Sequence, residues 1–277
     1  MWNNEEMRTS LKIGSVLGIP IRIHISLIAL LVLVAIAAAT VGGLEGIFWN
    51  VAVLVLVFAS IALHELAHSL VAIRKGCRVR DITLLFIGGA AQMEEIPRRP
   101  ADEIQMALAG PLFSLTIAAL GLGLGPLLSL PPLLPSLWSS RPINLVQFAG
   151  QVNLTLALFN LLPAFPMDGG RILRALLSRR IGRLPATFVA SRLGRLAAIL
   201  MGLAAIRYGF WQLVIIAVFL FRAAGREFEL VLNESILSAF FPDAPTAGEE
   251  DEEEVQIGPP PYGRSPPSRA PLERDWL

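Results

Sequence analysis

Apolar residues fall in long unbroken runs along this chain. The first run covers residues 25–41, and a short loop with Gly42, Gly43 and Glu45 follows it. The second covers residues 47–73, long enough to cross a bilayer with some tilt. A charged stretch, residues 74–103, separates it from a third run that starts near Ile104 and ends in the Gly/Pro-rich segment 121–135. The fourth, residues 143–162, stops at Pro163 and Pro166, which cannot continue a helix. Runs of roughly 18 or more apolar residues read as membrane spans.

Two shorter runs, residues 196–206 and 208–221, flank Arg207. One helix through both would leave Arg207 near mid-bilayer, at about 2.5–3.5 kcal/mol on insertion scales. A hairpin turning at Arg207-Tyr208-Gly209, with its first helix starting near Thr187, avoids that cost and lets Arg192 and Arg195 snorkel to the interface. The hairpin is favoured. The expected fold is therefore an all-α polytopic membrane protein with about six transmembrane helices and a small membrane-associated β segment.

Basic residues set the orientation. Arg8, Lys12 and Arg22 precede the first span; Arg74, Lys75, Arg78, Arg80, Arg98 and Arg99 lie between the second and third. Arg171, Arg174, Arg179, Arg180 and Arg183 follow the fourth, and Arg222 and Arg226 follow the last. The alternate loops carry only Arg141 and Arg207. Six spans with both termini cytosolic satisfy the positive-inside rule at every loop, in a multi-pass protein of the cell membrane. The expected organisation is a cytosolic N-terminal segment (residues 1–24), a six-span core (25–226) and a cytosolic tail (227–277). The tail is acidic and proline-rich from about Pro242, so it buries too little apolar surface to fold alone.

Composition agrees. Of 277 residues, 54% are hydrophobic and 16% charged, against about a quarter charged in soluble domains. A net charge of +1 gives no argument for nucleic acid, and the single cysteine, Cys77, excludes an intrachain disulfide framework. The first 20 residues are polar and mixed, and no cleavable signal peptide is expected.

The chemistry is carried by His64-Glu65-Leu66-Ala67-His68 in the second run. At positions i and i+4 of a helix both imidazoles share one face, a spacing that lets them bind one Zn²⁺. Glu65, one position round, suits the general base of the HExxH arrangement. Ionisable groups inside an apolar span are expensive and default to function. His64 lies ten residues before Arg74, so roughly 15 Å below the cytosolic surface at 1.5 Å per residue. A catalytic zinc needs a third protein ligand. Asp81, Glu94, Glu95, Asp102 and Glu103 sit in the charged loop and read as solvated. Asp168 follows two prolines that force an unwound segment, which is tolerated at membrane depth where it lines a cavity. Alone, Asp168 reads equally as a helix cap or a ligand. Together with the two histidines, the ligand reading is preferred.

The sequence resembles the site-2 protease family of intramembrane metalloproteases. His64–His68 and Phe159–Arg171 (FNLLPAFPMDGGR) match its two signatures, and Gly88-Gly89 and Ala109-Gly110-Pro111 extend the match. Residues 19–226 share the likeness. The resemblance implies one Zn²⁺ per chain held by His64, His68 and Asp168, with Glu65 as catalytic base. It also implies regulated intramembrane proteolysis of a membrane-anchored protein substrate within the lipid bilayer. Peptide-binding and nucleotide-binding modules carried by other family members are not evident, so the expected form is a minimal catalytic core.

Residues 79–92 (VRDITLLFIGGAAQ) are rich in β-formers and hold Gly88 and Gly89. They read either as a strand whose free edge pairs with an unwound substrate, or as a hairpin that only connects two spans. Asn160 either donates to a developing oxyanion or hydrogen-bonds a neighbouring helix. Asn153 reads as packing, His24 as an interfacial polar residue and Cys77 as a bystander. The competing function is a zinc-binding membrane protein without proteolysis, a pseudoprotease or a metal transporter. The first has no need of Glu65, and the second calls for more buried carboxylates.

Overall fold

Helix formation follows the apolar runs, and the breaks fall at glycine and proline. The computed structural model describes residues 9–86, 88–93, 99–128, 134–135 and 142–240. The chain divides into two compact units, Met1–Asp243 and Ala244–Leu277, and every described residue lies in the first. In chain order the first unit opens with strands β1 (Ser10–Val16) and β2 (Ile19–His24). The helical run Ile25–Arg74 breaks at Gly43, whose φ of 57° and ψ of −143° favour glycine. It thus forms two helices, α1 (Ile25–Thr40) and α2 (Gly42–Arg74), packed antiparallel through Leu27, Leu30 and Leu31 against Leu54, Phe58 and Ile61. Strands β3 (Val79–Leu85) and β4 (Gly88–Met93) follow.

Helix α3 (Pro100–Leu124) starts with proline in its first turn, where no amide hydrogen is needed. A 3₁₀ turn, Gly125–Leu127, extends it, and a two-stranded ribbon pairs β5 (Leu134–Pro135) with β6 (Pro142–Ile143). Helix α4 (Leu145–Asn160) opens on a capping box in which Gln147 N donates to Asn144 Oδ1 at 2.9 Å and Asn144 N to Gln147 Oε1 at 3.1 Å. The buried amide of Asn153 donates to Ser60 Oγ at 3.0 Å, tying α4 to α2, the packing role its sequence suggests. After the proline segment, with its cis Phe165–Pro166 bond, come α5 (Asp168–Ile181), α6 (Arg183–Tyr208) and α7 (Trp211–Phe240).

Helices α6 and α7 form an antiparallel pair turning at Gly209, with Ala190 against Ala224 and Ala198 against Leu220. Arg207 sits in the last turn of α6, not mid-helix. Two boundaries differ from the sequence expectation. Helix α6 begins at Arg183 instead of near Thr187, and α7 continues to Phe240, past residue 226. The extension is amphipathic: Phe228 stacks edge-on against Phe188 with ring centroids 5.4 Å apart, and Val231 is buried. Among the described residues three helices are long and apolar enough to cross a membrane, Gly42–Arg74, Pro100–Leu127 and Arg183–Tyr208.

The β structure is larger than the sequence reading allows. Its four strands run in the order β1-β2-β3-β4, with β2 parallel to β3 and the other pairs antiparallel. Residues 10–24, part of the N-terminal segment in which the sequence reading named no element, supply half of this sheet. The signal lies in the alternation Ile19, Ile21, Ile23. Ile19 and Ile82 pack on Leu66 of α2, and Leu84 packs near Phe58, so the sheet lies along the helix that carries the histidines.

Candidate metal centre

His64 and His68 project from one face of α2, their rings at 77° with centroids 4.8 Å apart. Both are buried. The His68 Nδ1 hydrogen is donated to Met106 O at 2.7 Å, and His64 Nδ1 meets Ser114 Oγ at 2.9 Å. A carbonyl only accepts, so Nδ1 of His68 carries the proton and its Nε2 offers a lone pair. Partners of this kind fix the tautomer and ring plane of a metal-binding histidine.

Both Nε2 atoms converge on Asp168 Oδ2, at 3.2 Å from His64 and 3.1 Å from His68. Asp168 is brought there by the break between α4 and α5. Met167, not Asp168, occupies the N-cap of α5, and it makes no capping bond. The carboxylate, in the first helical turn, faces the imidazoles. His64, His68 and Asp168 are the one group of three or more His, Cys, Asp or Glu residues among those described that could hold a metal ion.

Gly110 of α3 tests whether an ion fits. A Cβ there would collide with His68 Nε2 and lie 2.7 Å from His64 Nε2. The missing side chain thus leaves room beside the two Nε2 atoms. Two imidazole nitrogens and a carboxylate oxygen facing one another form a donor set that a shared cation, or a proton on an imidazole, holds together. Tetrahedral zinc, with bonds of about 2.0–2.1 Å, sets neighbouring ligand atoms about 3.3 Å apart. The two separations from the imidazoles to Asp168 Oδ2, 3.2 and 3.1 Å, are close to that value. The donor set and the space both suit Zn²⁺.

Glu65 lies beneath β4: a Cβ on Gly89 would sit 2.9 Å from Glu65 Cγ and 2.8 Å from Ile61 Cγ2. Gly88 and Gly89 begin β4, which pairs with β3 on one side and, among the described residues, with no strand on the other. Gly89 thus stands beside Glu65, while a Cβ on Gly88 would meet nothing within 4 Å. Asn160 donates from Nδ2 to Leu156 O of its own helix at 3.0 Å. His24 caps α1 through Nδ1, which accepts from Ser26 N at 3.2 Å.

Three acidic residues depart from the solvated loop reading. Asp81 is buried and accepts from Thr83 Oγ1 at 2.6 Å, and Glu103 is buried against Arg174 of α5. Asp102 pairs with Lys75 Nζ at 2.7 Å and is only partly exposed. Glu94 and Glu95 lie outside the described residues. Cys77, in the connection between α2 and β3, is buried beside Ala72 and Met106. Three residues after Asp168, Arg171 is pulled down by burial, but Glu227 and Asp168 outweigh this and hold its guanidinium above its ordinary range. Sequence reasoning missed Ser114 as a partner of His64; the signal was a hydroxyl four residues after Gly110 on an apolar helix.

The model of peptidase family M50 matches residues 52–134 and 125–203. The first range contains His64, Glu65 and His68, and the second contains Asp168. A zinc metalloprotease of Methanocaldococcus jannaschii is 38% identical over 233 residues, 83% of this chain and 64% of that protein. Rip3 of Mycobacterium tuberculosis is 34% identical over 242 residues, 80% of this chain and 59% of that protein. The chain thus spans about three fifths of the length of these relatives. The solved site-2 protease from Methanocaldococcus jannaschii superposes with a TM-score of 0.60 at 36% identity, covering 79% of this chain and 95% of that one. With both parts of the His–His–Asp cluster inside the matched ranges, and a fold shared with a solved member, the chain belongs to the site-2 protease family, peptidase family M50.

Proposed function

We propose that this protein is an intramembrane zinc metalloendopeptidase that cuts membrane-anchored proteins in regulated intramembrane proteolysis. The observation that carries the reading is the convergence of His64, His68 and Asp168 beside the space left by Gly110, with the histidines and Gly110 on helices long and apolar enough to cross a bilayer. His64, His68 and Asp168 would hold one Zn²⁺ per chain. When bound, the ion would polarise the scissile carbonyl and lower the pKa of the attacking water. Glu65 accepts the proton of that water and delivers it to the leaving amine. Met106 O and Ser114 Oγ keep the two imidazoles in register.

Six spans with both termini cytosolic fit the charge pattern, and the α6–α7 hairpin supports that count. The core would then comprise residues 25–226, assisted by β1, β2 and the end of α7, with the acidic tail in the cytosol.

A transmembrane substrate hides its peptide bonds in a helix, so cleavage requires it to be extended. The free edge of β4 beside Glu65 offers backbone partners for a strand, and Gly88 and Gly89 let it approach. A Gly89→Val side chain would push on Glu65 and Ile61. It is expected to cut cleavage at least tenfold at unchanged zinc content, and undiminished cleavage would count against strand addition. Asn160 retains one amide hydrogen for an oxyanion, and Asn160→Ala tests that assignment through kcat.

The whole reading is tested with the purified chain in detergent or vesicles. Elemental analysis should find one zinc per chain. Chelation should abolish cleavage of a membrane-anchored reporter, and added zinc should restore it. A chain that cuts without metal, or binds zinc without cutting any extended membrane peptide, would contradict the proposal.

A further inference from the structure

The two halves of the metal cluster come from helices with separate anchors. His64 and His68 ride on α2, and Asp168 on α5. Helix α5 packs on α3 and α6, while α3 packs on both α2 and α5. The placement of Asp168 opposite the imidazoles is therefore transmitted through α3. One face of α3 carries the relevant groups at helical spacing: Glu103, Met106, Gly110 and Ser114, all buried. Met106 orients His68, Gly110 leaves the space and Ser114 contacts His64. Glu103, at the cytosolic end of the same stripe, has no contact with the cluster.

Glu103 instead holds Arg174 of α5. Arg174 Nε donates to Glu103 Oε1 at 2.7 Å, and Nη2 donates to the same oxygen. Arg174 is 1% exposed and Glu103 2%. The guanidinium also lies over the ring of Phe165, 5.0 Å from its centroid, in the proline segment that leads to Asp168. On its other side Nη1 is 3.7 Å from Glu227 Oε2 of α7, and Arg171 Nη2 is 3.8 Å from Glu227 Oε1. One side chain thus joins α3, α5, α7 and the unwound segment. A buried ion pair seldom adds net stability over apolar side chains of the same volume, but it does tolerate only one geometry. Sliding α5 along α3 by one turn would separate these two buried charges, whereas an apolar contact would permit the slip.

We propose that Arg174 is a positioning residue that, through Glu103, locks α5 to α3 in the one register that presents Asp168 to His64 and His68. The inference rests on the metal-centre reading above and adds to it what fixes the third ligand. Arg174 touches none of the three ligands, and the carboxylate of Glu103 balances its charge. Glu227 steadies the far side of the guanidinium and brings the second half of α7 into the same lock.

The test compares zinc affinity and the visible spectrum of the cobalt(II)-substituted full chain across variants. Glu103→Leu/Arg174→Met removes both charges together, so neither is stranded. It is expected to keep wild-type helicity and thermal midpoint while zinc affinity falls about 10–100-fold, the range for lost outer-shell support, and the cobalt band shifts. Arg174→Lys keeps the charge but loses the guanidinium plane, and is expected to weaken zinc by a smaller factor. Asp168→Ala serves as the control. If it binds zinc like the wild type, the metal-centre reading itself fails. If Asp168→Ala loses zinc while the folded double variant binds it with wild-type affinity and an unshifted cobalt band, the site stands and the positioning role is overturned. If the double variant does not fold, Arg174→Lys carries the test, and a folded lysine variant with unchanged zinc affinity overturns the proposal. If neither folds, the pair is a requirement of folding instead, which also overturns it.

Discussion

Replacing Glu65 with Gln should leave zinc binding intact and lower cleavage by about 10²–10⁴-fold, the usual contribution of a positioned proton acceptor. Gln has the same shape and can still accept a hydrogen bond, so the packing of Glu65 beneath Gly89 is preserved. What it cannot do is take a proton and hold it through the collapse of the tetrahedral adduct. Glu65 is not one of the three residues whose ligand atoms converge, so the metal should not depend on it. Zinc content of the purified variant and cleavage of a membrane-anchored reporter, measured on the same sample, separate the roles. Loss of zinc would make Glu65 a ligand. Wild-type cleavage would place the base elsewhere.

The second large effect is expected at Gly110, a residue with no functional group. Gly110→Ala puts a methyl where it would collide with His68 Nε2. The neighbouring atoms are an imidazole pinned by the Met106 carbonyl and another pinned by Ser114, so neither ring can swing away cheaply. Zinc should be lost as completely as in Asp168→Ala, and cleavage with it. The substitution is informative because alanine favours a helix over glycine by about 1 kcal/mol. Loss of zinc with helical content and thermal midpoint maintained would therefore be a defect of space, not of folding. A Gly110→Ala protein with one zinc per chain would show that the ion, if present, sits outside this cradle.

Much of this site was legible because its chemistry is local. His64 and His68 share a face through the helical period alone, and the apolar run around them already argues for function. The prolines at 163 and 166 announce a break, and Asp168 stands just beyond it. The reading of residues 79–92 as a hairpin rests on equally local signals, as does the turn at Arg207-Tyr208-Gly209. Its neighbours misled for Glu103: Arg98, Arg99 and Asp102 make the loop look solvated, yet Glu103 is buried by a partner 71 residues away. The N-terminal strands escaped for a similar reason. A short alternating segment is weak evidence until a sheet accepts it, and β2 is held by a parallel neighbour on the far side of two helices.

What the chain determines by itself is periodicity and breakage: which residues share a helix face, where lipid-compatible helices run, and where they stop. These depend on steric and solvation terms that act within a few residues. Only the tertiary structure decides which distant groups meet. It selects Asp168 from the carboxylates and assigns Glu103 to Arg174. It turns Asn160 onto its own helix and leaves Gly110 as the space between two imidazoles. Each of those outcomes depends on α3 lying between α2 and α5, and a long-range packing arrangement leaves no period in the sequence from which it could be read.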